Sequence, residues 1–338
     1  MSVGQDRRRV LVQLGGFALG LALLAWCVRV ALRPENRGAL ESLSHAPADL
    51  VAALVGLSLT TLFLNGTTFW TAIFPVKRVP FWEIQATNAG AALCNYAPFK
   101  LGAVLRFVVH SRRHGVPLMT IAAWIAAVTV TMLVALGPLI AAGVWRREAD
   151  ALFWVALLVG AAATYAVALA IARVLAHAEG LTRLHRMSDR PGLRWLLRLM
   201  HTRVFHHLHA GFAMLAHPWS FGLGVALRVL DLLVQAARFM VAARLAGMEL
   251  TFEGALIVSG AYFLVSVVSP AGSLGVREWA SSRLALFGMS MDSLTVVALT
   301  VTASEMLVNM VCGTAGLAFL RPGRLRKEVP ERAADGGM

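Results

Sequence analysis

Long apolar segments recur along almost the whole of this chain, and they constrain its fold more than any other feature. Six of them are near the length of about 20 residues that crosses a hydrocarbon core. They are 10–28, 50–76, 118–145, 151–172, 219–246 and 294–320. Only 14% of the residues are charged, whereas soluble domains have about 25%. The sequence therefore predicts an all-α polytopic membrane protein.

Two further apolar segments, 82–110 and 252–287, are each interrupted near the middle by proline and glycine. The residues at the breaks are Pro98, Gly102, Pro270, Gly272 and Gly275. Proline removes a backbone donor and glycine loosens the chain, so each segment is predicted to form two half-helices that meet within the membrane. Non-helical backbone is stable at that depth only when it is buried in protein or faces a water-filled cavity. The sequence thus predicts about six full transmembrane helices and two re-entrant helical hairpins.

The two breaks share a pattern, a proline followed by a glycine and then by an arginine, that occurs once in each half of the chain. The duplication predicts a single membrane domain at 1–320, with one repeat at about 50–145 and the other at about 219–320. We expect the basic segment 177–217 to link the repeats. The charged tail 321–338 is predicted to be disordered.

Lysine and arginine are concentrated in alternate loops, which predicts an orientation. If the N-terminus is cytoplasmic and each hairpin returns to the side from which it enters, most of the loop basic residues lie on the inside. Both termini are then cytoplasmic, in the inner (cytoplasmic) membrane of a bacterium. The first hairpin enters from the cytoplasm and the second from outside, so the two repeats have inverted topologies.

The net charge of +13 is carried mostly by residues between apolar segments, and it predicts contact with lipid headgroups rather than with nucleic acid. Within the linker, basic side chains at 183–203 lie between apolar ones at helical spacing. We therefore expect an amphipathic helix on the anionic lipid of the inner leaflet. The histidines and the three cysteines lack the spacing of metal ligands, and no metal or other cofactor is predicted.

Charged side chains within apolar segments are costly and mark candidate functional sites. Lys100, Arg106 and Arg277 lie beside the two breaks, where free backbone N–H groups and helix dipoles also favour an anion. An arginine can hold a phosphate through two hydrogen bonds. These three residues are therefore predicted to bind a lipid headgroup. Asn95, which flanks the first break, either satisfies freed backbone groups or joins the headgroup site.

Four other intramembrane residues are candidates for gating or for compensating charge: Arg228, Asp231, Glu278 and Glu305. Arg228 and Asp231 are three positions apart on one predicted helix, close enough to pair. Glu278 follows Arg277 directly in the second hairpin. Two interpretations stay open for these residues: an ion-pair network that only fastens helices together, or a role in transport that includes a coupled proton.

The apolar segments contain too few carboxylates for a metal-dependent transferase, since no acidic pair is available to supply two ligands. No nucleophile motif, phosphate-binding loop or dinucleotide fingerprint occurs in the sequence either. The sequence therefore predicts a protein that is not an enzyme. Any transport is expected to be driven by a gradient or to run downhill.

The residues around the two breaks resemble the two motifs of the lysylphosphatidylglycerol synthase/flippase transmembrane family. The first motif is matched by Asn95, Pro98, Gly102, Arg106 and Gly115, and the second by Pro270, Gly272, Gly275, Arg277 and Glu278. The similarity extends over 10–320 and implies translocation, or flipping, of an anionic or zwitterionic lipid between leaflets. A phospholipid and a polyprenyl-phosphate-linked lipid both fit that expectation. We expect no aminoacyl-transferase domain such as some members carry, so the resemblance implies the lipid-moving part alone.

Two alternative functions stay open beside flipping. One is a membrane-embedded enzyme that modifies a lipid headgroup, which would form a new lipid product. The other is a non-transporting partner that recruits a lipid-modifying enzyme through the basic segment. Neither alternative predicts movement of a labelled lipid by the purified protein.

Overall fold

A computed structural model describes residues 3–97, 101–146, 150–176, 182, 211–268, 275–282 and 291–321. Within these ranges the chain is helical and contains no strand, in agreement with the predicted all-α fold. Several predictions concern residues outside these ranges: Pro98, Lys100, Pro270, Gly272, the basic segment 183–203 and the tail from residue 322 onward.

The described helices follow the apolar segments of the sequence closely. They are α1 (Val3–Ala31), α2 (Arg37–Ser44), α3 (Ala48–Ile73), α4 (Phe81–Cys94), α5 (Leu101–His114), α6 (Leu118–Arg146), α7 (Ala151–Leu175), α8 (Pro218–Leu245), α9 (Phe252–Val268), α10 (Val276–Ser282) and α11 (Met291–Leu320). A 3-10 turn at Pro34–Asn36 precedes α2, and neither of these two short elements was expected from the sequence.

Five helices are long and apolar enough to cross a membrane: α1, α3, α6, α7 and α11. They correspond to five of the six predicted spans. The sixth, α8, has 28 residues and is also long enough, but it carries four charged side chains. Three of them, Arg228, Asp231 and Arg238, are buried and face the protein interior, whereas Arg244 in the last turn is exposed.

In both interrupted segments, one helix ends and another begins where the sequence predicts a break. α4 ends at Cys94 and α5 begins at Leu101, while α9 ends at Val268 and α10 begins at Val276. A Cβ atom on Gly102 would lie 2.3 Å from the carbonyl oxygen of Ala91 and 2.3 Å from Asn95 Oδ1. The start of α5 therefore packs so closely against the end of α4 that only glycine fits there.

Gly275, at the start of α10, also has a conformation that favours glycine. Its φ is +82°, and a Cβ atom there would lie 1.9 Å from the carbonyl oxygen of Gly20 in α1. Its N–H donates to Glu278 Oε2 at 2.6 Å, as in a capping box that satisfies the free donor at a helix start. The second break is thereby fastened to α1 on one side and to its own helix on the other.

Helices of the first half of the chain pack directly against helices of the second half, so the two halves do not form separate units. α3 runs along α8, and α4 runs along α11. Apolar clusters fill the interior: one around Phe239 and Tyr262 joins α6, α8 and α9, and another around Ile84 and Trp124 joins α4 and α6. α7 lies at the edge on α6, and Phe153 and Ala172 are its buried residues.

Candidate functional site

A cavity of about 330 Å³ lies among α3, α4, α5, α6, α8, α9, α10 and α11. Seven of the residues singled out from the sequence line it, and they come from both halves of the chain: Asn95, Gly102, Arg106, Arg228, Asp231, Arg277 and Glu305. Glu278 lies next to the cavity through its contact with Arg277. The packing of the two halves therefore brings described residues of both predicted motifs together at one site.

Arg106 projects from α5, one turn after the close approach at Gly102. Its side chain is almost completely buried, with 8% of the residue exposed. Nη2 donates to Asn88 Oδ1 at 2.6 Å, and the guanidinium carbon lies 3.8 Å from the centre of the Phe69 ring. Nη1 is buried without a hydrogen-bond partner, and Arg106 forms no ion pair with a described carboxylate. Its positive charge is therefore uncompensated in the part of the chain that the structure describes.

Two asparagines connect Arg106 to the charged pair on α8. Asn88 Oδ1 accepts a second hydrogen bond, from Asn65 Nδ2 at 2.9 Å. Asn65 Oδ1 in turn accepts from Arg228 Nη2 at 2.6 Å. Arg228 pairs with Asp231 at 3.1 Å, which confirms the pairing predicted from their spacing on one helix. The result is one hydrogen-bonded chain that runs through α5, α4, α3 and α8.

Described carboxylates compensate the positive charge of Arg277, in contrast to that of Arg106. Arg277 Nε lies 2.9 Å from Glu278 Oε1, and its Nη1 lies 2.9 Å from Glu305 Oε1. The other oxygen of Glu305 lies 3.3 Å from Arg238, which also donates to Gln235 at 2.8 Å. These contacts fasten α10 and α8 to α11. Such buried pairs hold helices together when both charges are present, because each offsets the desolvation of the other.

Glu278 accepts two further hydrogen bonds that hold it in place. One comes from the Gly275 N–H and the other from the Thr302 hydroxyl, each at 2.6 Å. The Thr302 hydroxyl also lies 2.7 Å from the hydroxyl of Tyr262, and Arg277 lies 4.6 Å from the centre of the Tyr262 ring. Both carboxylate oxygens of Glu278 are therefore engaged within the protein.

The wall formed by α6 is largely apolar. Ile125, Val128 and Met132 recur at helical spacing along it, with the single hydroxyl of Thr129 between them. Phe263 of α9 adds a further apolar surface. The cavity thus has a cationic and hydrogen-bonding side and an apolar side, which is the division expected of a site for an amphipathic ligand.

The sequence did not identify several polar residues of the site. Tyr96 follows Asn95 directly and accepts a hydrogen bond from Asn309 Nδ2 at 2.9 Å. Gln235 lies three residues before Arg238, a helical spacing that could have identified it. Thr302 and Tyr262 belong to apolar segments with no distinguishing pattern, so only tertiary hydrogen bonds connect them to Glu278.

The described residues offer no obvious metal centre, since no group of three His, Cys, Asp or Glu side chains is clustered within those ranges. Cys27, Cys94 and Cys312 form no disulfide within the described ranges. Around the cavity the carboxylates contact arginines instead.

A family model described as the lysylphosphatidylglycerol synthase TM region matches residues 14–313. The chain belongs to this family. The matched range contains every residue that lines the cavity, and it confirms the resemblance seen in the two motifs. No curated protein matches the chain. Membership of the family, together with several apolar helices, makes this a multi-pass membrane protein that associates with membrane lipids and has a lipid-related function.

Proposed function

We propose that this protein translocates an anionic or zwitterionic lipid, either a phospholipid or a polyprenyl-phosphate-linked lipid, between the leaflets of a bacterial inner membrane. The observation that carries the proposal is Arg106, a buried and uncompensated cation with an unused Nη1 at the wall of the cavity. A buried charge without a counterion is unfavourable. A bound phosphate would supply both the missing charge and the missing hydrogen-bond acceptor.

The apolar wall of the cavity supports a lipid rather than a free anion as the ligand. Ile125, Val128 and Met132 of α6 face the same space as the arginines. A cavity of about 330 Å³ has room for a headgroup but not for acyl chains as well. We therefore propose that the headgroup enters the cavity while the chains stay in lipid beside it.

The proposed architecture has six full transmembrane helices and two re-entrant hairpins in an inverted repeat, with both termini cytoplasmic. The breaks between α4 and α5 and between α9 and α10 support the hairpins. Contact between α3 and α8, the first helices of the two repeats, supports a two-fold relationship. In such a fold, access alternates when one repeat moves against the other around a fixed site.

We assign the residues of the two motifs different roles. Arg106 binds the headgroup phosphate, and Lys100 and Asn95 are proposed to assist it from the same break. Arg277 is already engaged by two carboxylates, so we assign it to the switch that holds α10 against α11. The residues proposed to balance charge or to carry a coupled proton are Glu278, Arg228, Asp231 and Glu305. We also propose that the protein is not an enzyme.

The test is a translocation assay with the purified full chain in vesicles. Fluorescent phosphatidylglycerol in the outer leaflet is quenched by dithionite, and the accessible fraction reports movement between leaflets. We expect wild-type protein to equilibrate the label and Arg106→Met to abolish this movement. Arg173→Met is the matched control, because Arg173 is an exposed residue of the last turn of α7, outside the cavity.

Each outcome bears on the proposal. Movement no faster than in protein-free vesicles, for phosphatidylglycerol and for zwitterionic phosphatidylethanolamine alike, would refute translocation. Equal loss of activity in both arginine variants would refute the assignment of Arg106. Mass spectrometry of the same vesicles tests the enzyme alternative, since a new lipid species formed by the protein would contradict our proposal.

A further inference from the structure

The carboxylates around the cavity are all engaged by arginines. The ion pairs join Asp231 to Arg228 at 3.1 Å, Glu278 to Arg277 at 2.9 Å, and Glu305 to Arg277 at 2.9 Å and to Arg238 at 3.3 Å. Among the residues that line the cavity, three arginines face two carboxylates. The described lining therefore has a surplus of one positive charge and no carboxylate that lacks a cation.

The unused hydrogen-bonding groups are mainly donors. Arg106 Nη1 and Arg228 Nε are buried at the cavity and have no hydrogen-bond partner. Arg277 Nη2 has no partner of regular geometry either, although the Arg277 side chain interacts with the Tyr96 hydroxyl. The acceptor Asp231 Oδ1 has no partner of regular hydrogen-bond geometry, but Asp231 interacts with the Thr61 hydroxyl, which has no other partner. A ligand that satisfies this site must bring acceptor oxygens and negative charge, because buried donors without partners are unfavourable.

A headgroup ammonium has no corresponding site. It would have to leave water, and it would find no unpaired carboxylate in the described lining. It would also lie near three guanidinium groups of the same charge. An uncharged hydroxylated substituent meets neutral groups instead, since the side chains of Tyr96, Ser266 and Asn309 also line the cavity. Desolvation of a charge without a partner is far more costly than that of a hydroxyl group.

We infer that the cavity selects lipids whose headgroup is a phosphodiester with a single negative charge and an uncharged, hydroxylated substituent such as glycerol or a sugar. It discriminates against headgroups that also carry an ammonium group. This inference rests on the proposed function and narrows its substrate to the anionic class. The described cavity lining has a surplus of one positive charge, which equals the single negative charge of a phosphodiester. The two negative charges of a dianionic headgroup would exceed this surplus.

Binding of short-chain lipids to the purified full chain in non-ionic detergent tests the inference. Dioctanoyl-phosphatidylglycerol and dioctanoyl-phosphatidylcholine share the phosphodiester and the chains, and they differ in the ammonium. We expect calorimetry to give an affinity for the glycerol lipid about tenfold higher, a difference that corresponds to about 1.4 kcal/mol. Equal affinities, or tighter binding of phosphatidylcholine, would overturn the inference. Glycerophosphoglycerol, the headgroup without chains, should bind much more weakly, and equal binding would make the ligand a soluble phosphodiester.

Two variants test the origin of the selectivity. Arg106→Gln removes both the surplus charge and a phosphate contact that the two lipids share, so it should weaken the binding of both lipids and abolish the preference for phosphatidylglycerol. Asp231→Asn raises the surplus by one, so it should shift the preference from phosphatidylglycerol towards dianionic phosphatidic acid. If Asp231→Asn does not fold, Arg106→Gln decides alone, and a preserved preference in that variant would contradict our inference.

Failure of this inference can be distinguished from failure of the proposed function. Vesicles that carry labelled phosphatidylglycerol or labelled phosphatidylcholine are assayed with the same protein. Equal translocation of both lipids would leave the proposed function standing and refute the selectivity. Selective binding in detergent without translocation of any lipid would leave the selectivity standing and refute the proposed function.

Discussion

Arg106 and Arg277 are both buried arginines of the cavity, yet their loss should affect stability differently. Arg106 has a hydrogen bond to Asn88 and a contact with the Phe69 ring but no counterion among the described residues. Arg277 has ion pairs with Glu278 and Glu305. We predict that Arg106→Met leaves the free energy of unfolding nearly unchanged, whereas Arg277→Met lowers it strongly.

The magnitudes follow from the contacts that each change removes. Arg106→Met removes a hydrogen bond from a charged group, worth about 1.5–3 kcal/mol, and a cation–π contact of about 2 kcal/mol. It also removes the desolvation penalty of an unpaired cation, which is several kcal/mol. These contributions nearly cancel, so we expect a net change of about 1 kcal/mol or less. Arg277→Met leaves Glu278 buried without a cation, and breaking such a pair costs about 3–5 kcal/mol.

Unfolding by sodium dodecyl sulfate in mixed micelles, followed by tryptophan fluorescence, measures both free energies, and the chain has 9 tryptophans for the signal. Arg173→Met serves as the baseline for removal of an exposed arginine. The reasoning would be refuted if Arg106→Met were as destabilising as Arg277→Met. That result would mean that Arg106 is a structural cation with an internal counterion, and the main argument for a ligand at this position would fail.

Three further predictions concern residues outside the cavity. His110 is fully buried, both its ring nitrogens lack a described partner, and its ring lies 4.8 Å from that of Trp124. Because His110→Phe keeps the ring contact and removes the unpaired nitrogens, it should raise the free energy of unfolding by about 1–2 kcal/mol. A decrease would contradict this account. Gly275→Ala places a Cβ atom against α1 at a positive φ and should lower the free energy of unfolding by about 1–3 kcal/mol. The control Gly137→Ala has open space around its new Cβ atom and should not lower the free energy of unfolding. Hydrogen bonds from the Arg146 side chain and the Phe153 N–H lower the pKa of Asp150, the N-cap of α7. The stability that Asp150 contributes should therefore be present above its unfolded-state pKa of about 3.9, and it should disappear as the pH falls through its lower folded-state pKa. Melting curves of the wild type and of Asp150→Ala should differ at pH 7 and converge in acid.

The features that the sequence predicted well are local ones. Proline and glycine change the backbone at their own positions, so the ends of α4 and α9 were placed from these residues alone. The pair of Arg228 and Asp231 depends only on helical spacing, and the structure has it at 3.1 Å. Long uncharged segments likewise predicted five helices of membrane-spanning length.

The partners of the buried charges could not be predicted in the same way. Glu305 contacts Arg277 and Arg238, which lie on two other helices. Asn88 joins Arg106 to α3, and its neighbours in sequence give no sign of this. Such contacts depend on how the two halves of the chain pack, which no local spacing encodes. The short helix α2 was missed because eight residues are too few to show a clear periodicity.

Asn88 Oδ1 accepts hydrogen bonds from Arg106 on α5 and from Asn65 on α3. In the proposed translocation, this shared acceptor would link occupancy of the cavity to movement of the helices. If α5 separates from α4, Arg106 loses its described hydrogen-bond partner, at a cost of about 1.5–3 kcal/mol. A phosphate in the cavity can replace that partner, whereas an empty cavity cannot. In the proposed translocation, α5 should therefore separate from α4 more readily when a lipid headgroup occupies the cavity than when the cavity is empty. Movement of the helices would then be coupled to movement of lipid.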